Sequence, residues 1–132
     1  MQKNNMTKIT HDNAVQELLK RIPEIKEYSG EYSAWEHTKD ELDLPTVVFD
    51  LFGDFLLDRI KSQPSDDPVI KKSFDLINEM QESEDPHVQN LPQVGVFEVL
   101  AGSKKGVEIG DKLINAKGRE WFDKIKQHFN PQ

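Results

Sequence analysis

Apolar positions recur along this chain at intervals of three and four residues, the spacing that lines one face of an α-helix. Val15, Leu18, Leu19 and Ile22 form the first stripe, and Thr10 or Asp12 stands where a helix running to Arg21 would be capped. Pro23 either ends that helix or opens the next, since proline is tolerated in a first turn. Ile25, Tyr28, Tyr32 and Trp35 keep the spacing, but Ser29, Gly30 and Ser33 interrupt it. That pattern predicts a short helix followed by a loop carrying Glu36, Asp40, Glu41 and Asp43.

The pattern is plainest from Thr46 to Lys61, behind Pro45. Val48, Phe49, Leu51, Phe52, Phe55, Leu56 and Ile60 cover more than half of a helical wheel, while Asp50, Asp54 and Asp58 share the remaining strip. The β-branched pair Val47–Val48 would suit a strand, but the run is too long for one and has the wrong period. Asp67–Pro68 is a cap followed by a first-turn proline. Behind it Val69, Ile70, Phe74, Ile77 and Met80 predict another amphipathic helix, closed by the acidic run Glu82, Glu84 and Asp85.

Pro86 opens a further stretch with Val88, Leu91, Val94, Val96, Phe97 and Leu100 apolar. Pro92 inside it predicts a kink or a break, because it removes a backbone donor and crowds the preceding turn. Gly102 fits a C-terminal cap. A turn at Lys104, Lys105 and Gly106 then precedes a short helix from Val107 to Asn115. Lys117 to Phe129 forms the last helix, with Trp121, Phe122, Ile125 and Phe129 expected to face inward. The expected fold is all-α, a compact bundle of about five or six short amphipathic helices. Residues 1–10 are expected to be a flexible N-terminus and residues 11–132 a single helical domain.

Charge changes this picture more than composition does. The formal net charge is -7, with ten basic and twenty acidic residues up to Gly102 and seven basic and four acidic from Ser103 onward. Glu31 to Asp67 is the acid-rich part, with ten acids against three bases. Such a surface repels phosphate backbones, which argues against nucleic acid as a partner. The chain has no cysteine, so disulfides, thiolate metal sites and a cysteine nucleophile are excluded. Met1 to Thr10 lacks the apolar core of a signal peptide, and no apolar run is long enough to span a bilayer. A cytoplasmic protein without a membrane partner is the resulting expectation.

Few residues carry a chemical signature. None of His11, His37, His87 and His128 has another histidine three or four residues away, the spacing that places two metal ligands on one helix face. Asp50, Asp54 and Asp58 put like charges one turn apart, which costs a few tenths of a kcal/mol per pair. The strip is either the solvated face of its helix, a surface for a basic partner, or part of a divalent-cation site. Glu98, set between Phe97 and Val99, is either a buried carboxylate with a raised pKa or an edge residue bonded to a helix end. Gly102–Gly106 resembles a phosphate loop but lacks its spacing and the strand before it. No metal ligands, catalytic residues or cofactor are assigned. Tyr28, Tyr32 and Trp35 beside Glu36, Asp40, Glu41 and Asp43 are the candidate partner-binding residues, aromatic anchors with an acidic rim. The alternative reading of the aromatics is a stripe that covers the core.

Three blocks carry a family resemblance: Ile22-Pro23-Glu24-Ile25-Lys26-Glu27-Tyr28, Leu44-Pro45-Thr46-Val47-Val48-Phe49, and Val88-Gln89-Asn90-Leu91 leading to Val96-Phe97-Glu98-Val99-Leu100. In order and separation they resemble a family of small, uncharacterised bacterial all-helical proteins. Members of that family are similar to immunity proteins of polymorphic toxin systems. This chain departs from the family's leucine-glycine-proline-like turn before the last helix, having Leu113-Ile114-Asn115-Ala116-Lys117-Gly118 there. The resemblance implies a non-catalytic protein-binding module that neutralises a cognate toxin, with a basic toxin domain as partner. The alternative is a metal-dependent or hydrolytic enzyme built on Glu98 and the Asp50/Asp54/Asp58 strip.

Overall fold

A computed structural model describes residues 8–28 and 44–129 of the chain. Every regular element among them is helical, so the protein is all-α. In chain order these are α1 (Ala14–Arg21), α2 (Glu24–Tyr28), α3 (Leu44–Ser62), α4 (Pro68–Gln81) and α5 (Pro86–Pro92), then a π-helical turn (Gln93–Phe97). α6 (Glu98–Ala101), α7 (Lys104–Leu113) and α8 (Ala116–Lys126) complete the described part.

α3 is the axis of the bundle. Val48, Phe49, Phe52, Phe55, Leu56 and Ile60 are buried all round it, as its wide apolar arc predicts. It packs against α1, α2, α4, α5, the π turn, α6 and α7. Each fully buried Leu, Ile or Phe contributes roughly 1.5–3 kcal/mol, so this one helix carries much of the hydrophobic stabilisation. α8 closes the side made by α4, the π turn, α6 and α7, with the Phe122 ring edge-on to Phe97 at 5.6 Å between centroids. Ile9 also belongs to the core, so packing reaches upstream of the boundary expected at residue 10.

Capping side chains set the helix starts. Asp67 accepts from the N–H groups of Val69 and Ile70, both at 3.1 Å, and Pro68 needs no partner for a missing donor. Asp85 accepts from His87 N at 2.9 Å ahead of α5. α1 begins later than either expected cap, because Thr10 and Asn13 bond reciprocally in the turn before it (Thr10 N to Asn13 Oδ1, 2.8 Å; Asn13 N to Thr10 Oγ1, 3.2 Å). α7 starts three residues earlier than expected, with Ser103 Oγ accepting from Gly106 N at 3.3 Å. The turn that departs from the resembled family joins α7 to α8. There Asn115 Oδ1 accepts from Gly118 N at 3.0 Å, and the Asn115 backbone N–H donates to Asn78 Oδ1 at 2.9 Å, which ties the turn to α4.

Pro92 does not break its helix. The chain widens into the π turn directly after it and resumes as α6. A π turn shifts the hydrogen-bond register by one residue, which absorbs the donor missing at proline. The same turn is where α3 comes closest. A Cβ on Gly53 would overlap the Gly95 carbonyl, and one on Gly95 would lie 2.7 Å from the Phe49 carbonyl carbon and oxygen. The two backbones therefore touch across a pair of glycines.

Two inward assignments are corrected, one in α8 and one beyond it, since α8 ends at Lys126 and not at Phe129. Phe122 is fully buried, but Trp121 is 47% exposed and Phe129 39%. The inner side of α8 is cramped: Gly118 meets Ile114 and Gln81, and the Phe122 ring fills the space against Gly110. Only one large ring fits there.

Candidate functional site

The candidate residues divide sharply in what the structure describes. Tyr28 is the last residue of α2, of which the backbone is described; Tyr32, Trp35, Glu36, Asp40, Glu41 and Asp43 lie outside the described residues. The helices that flank that segment, α2 and α3, line an open hollow of about 350 Å³ with Glu24, Glu27, Phe55, Asp58, Arg59 and Ser62. Its walls are fixed by ion pairs. Lys72 reaches the Glu24 carboxylate at 3.0 and 3.1 Å, joining α2 to α4. Arg59 binds both Asp67 oxygens at 3.1 and 3.3 Å. That guanidinium bond, aided by the backbone N–H groups of Ile70 and Val69, holds the Asp67 carboxyl below its ordinary pKa.

The Asp50, Asp54 and Asp58 strip lies on the exposed side of α3, as its wheel position requires. Glu98 is exposed as well, which corrects the reading of it as a buried carboxylate. The helix crossing brings it near enough to act on Asp50. Desolvation, then repulsion from Asp54 and Glu98, pushes the Asp50 carboxyl above its ordinary value. Desolvation, then repulsion from Asp58, does the same to Asp54. Val94, 40% exposed, precedes Glu98 on the π turn and adds an apolar spot to this acidic face.

The histidines are arranged differently from their sequence spacing. His11 and His87 come together edge to face at 6.1 Å between ring centroids, and His87 Nδ1 is 3.3 Å from Asp85 Oδ1. His128 is exposed beyond α8, and His37 lies outside the described residues. Among the described residues no group of three or more His, Asp or Glu side chains could hold a metal ion. No helix among them is long and apolar enough to cross a membrane.

Sequence reasoning also missed a buried amide pair. Gln93 Nε2 donates to Gln81 Oε1 at 2.9 Å inside the protein, and Gln81 Nε2 donates to the Gln89 carbonyl at 2.9 Å. This pair pins the π turn to α4 and is structural, since all of its described partners are internal. The only sequence signal for it was polar side chains at positions the apolar stripes leave facing inward.

Among the described residues, these features belong to an all-helical domain with its carboxylates gathered on the open face of α3 and α6. A family model described as a domain of unknown function, DUF7674, matches residues 15–130, and the chain belongs to that family. No curated protein and no solved structure matches the chain.

Proposed function

We propose that this chain is a non-catalytic, cytoplasmic protein-binding module of the immunity type, which neutralises a basic toxin domain. The observation that carries the reading is the acidic face of α3 and α6. Desolvation, then repulsion from neighbouring carboxylates, raises the pKa of Asp50 and Asp54, and a cationic partner would relieve that repulsion. Toxins that attack nucleic acids present basic clefts, and an acidic domain can occupy such a cleft in place of phosphate. Tyr28, Tyr32 and Trp35, with Glu36, Asp40, Glu41 and Asp43, extend the acid-rich run immediately before α3 and supply aromatic anchors.

The test uses the product of the reading frame next to this gene, purified and titrated calorimetrically against the protein. The expected result is tight, salt-sensitive binding that is lost in the triple variant Trp35→Ala, Asp40→Lys, Asp43→Lys. Equal binding by that variant would remove those residues from the interface, and no binding by the wild type at low salt would remove the toxin reading.

The enzyme alternative has one observation in its favour, the proximity of Glu98 to Asp50. Titration with Mg²⁺, Mn²⁺, Zn²⁺ and Ca²⁺ separates it. Binding tighter than roughly 10 μM that disappears in Asp54→Ala would favour a metal-dependent activity over the immunity role.

A further inference from the structure

The largest exposed apolar side chain among the described residues is Trp121. It does not stand alone. Lys117 and Lys124 lie one turn to either side of it along the same face of α8, and Lys124 Nζ sits 5.2 Å from the centre of the indole ring. The other cations of this helix are already committed. Arg119 and Lys126 reach Asp111, and Lys126 also reaches Asp123, whereas Lys117 and Lys124 enter no ion pair among the described residues. Exposed Glu120 lies three residues from Lys117 and four from Lys124, so the result is an aromatic centre whose rim carries two lysines and one carboxylate, a net cationic interface anchor.

The face on α3, the π turn and α6 has the same layout with the opposite sign. Val94 is its exposed apolar spot, and Asp50, Asp54 and Glu98 are its rim. We propose that these two faces dock on each other between copies of the chain, so that the Lys117–Trp121–Lys124 strip of one copy covers the Asp50–Asp54–Glu98 face of another. The argument is charge complementarity. The strip stays net positive with Glu120 included, the opposing rim is made of carboxylates, and each face brings an apolar group to exclude water at the centre. The raised pKa values of Asp50 and Asp54 agree with this, since lysines at contact range would relieve them. The net charge of -7 repels two copies at long range, but that repulsion is screened beyond about 8 Å at physiological salt, while contact pairs persist. Two unlike faces make a heterologous contact, which closes into a ring or grows into a chain according to its rotation. The face is the one assigned to the toxin, so a toxin would displace the neighbouring copy; the readout contains no toxin, and the two readings therefore fail separately.

Sedimentation velocity on the full chain tests it. In about 0.15 M salt the wild type should associate with rising concentration, and in about 1 M salt it should not. Two variants each carry one reversed face: Lys117→Glu with Lys124→Glu, and Asp50→Lys with Asp54→Lys. Each alone presents like charges on both faces and should stay monomeric, and an equal mixture of the two should associate again. Trp121→Ala should weaken wild-type association at least about tenfold. Far-UV circular dichroism checks that each variant folds. If the Asp50→Lys, Asp54→Lys variant does not fold, Asp50→Asn with Asp54→Asn replaces it, with the same loss of association expected. A wild type that stays monomeric up to roughly 100 μM would overturn the proposal. So would association that survives either reversal, or a mixture that fails to restore it. Binding of the wild-type monomer to anionic vesicles or to duplex DNA, lost in Trp121→Ala, would assign the strip to that partner and overturn self-docking.

Discussion

Asp67 shows how much one side chain can join. It caps α4 and pairs with Arg59 while itself buried, so two roles end on one carboxylate. Its pKa is held below the ordinary value by Arg59 and the cap, so its stabilising contribution is complete above the unfolded value near ~3.9. That contribution is lost as pH falls through the depressed folded value. Asp67→Ala should therefore cost about 1–2 kcal/mol near neutral pH in a denaturant titration, and the difference from wild type should shrink in strong acid. Asp54 behaves in the opposite sense. Its folded pKa is raised, so its charge opposes folding at neutral pH and is relieved as pH falls from that raised value toward ~3.9. Asp54→Asn should raise stability by roughly 0.2–0.5 kcal/mol at neutral pH, and the gain should vanish in acid. An Asp54→Asn protein less stable than wild type at pH 7 would show that Asp54 has a cation partner.

At the scale of elements, glycine position decides more than helix propensity. Gly95 lies on the π turn against the α3 backbone, where a methyl group has no room. Gly95→Ala should cost about 3 kcal/mol or more, because neither backbone can yield without moving a helix. Gly102 contrasts with it. Its φ is -83° and a Cβ there would find its nearest neighbour at 3.7 Å, so Gly102→Ala should stabilise the protein by about 0.4–1 kcal/mol. Equal effects in the two variants would contradict the glycine crossing. The sequence made α3 and α4 readable because their apolar arcs are wide and their starts are marked, by the first-turn Pro45 and by the Asp67 cap. The crossing was not readable, because a glycine inside a helical pattern looks like a weak point until its distant partner is known. Trp121 and Phe129 misled for a related reason. A wheel places both near the apolar side of the last helix, but it cannot show that Gly110 and Gly118 leave space for Phe122 alone, or that the helix ends at Lys126 before reaching Phe129.

For the whole molecule, charge is separated by region: an acidic body built around α3, and a cationic strip on the last described helix. That separation was legible in the sequence, since it needs only a running count of charges. Which carboxylates meet was not, because Glu98 approaches Asp50 only through the α3 and π-turn contact. The meeting of His11 with His87 was hidden in the same way. The central claim is that the acidic face of α3 is uncompensated in the free protein and therefore suited to a cationic partner. Carbon-detected NMR titration of the aspartate carboxyl groups, in the Lys117→Glu, Lys124→Glu variant that does not self-dock, measures this directly. Asp50 and Asp54 should titrate above the ordinary aspartate value and Asp67 below it, and both raised values should fall when a basic partner is added. Asp50 and Asp54 titrating at or below the ordinary value in the free protein would mean that the face is already neutralised, which contradicts the claim.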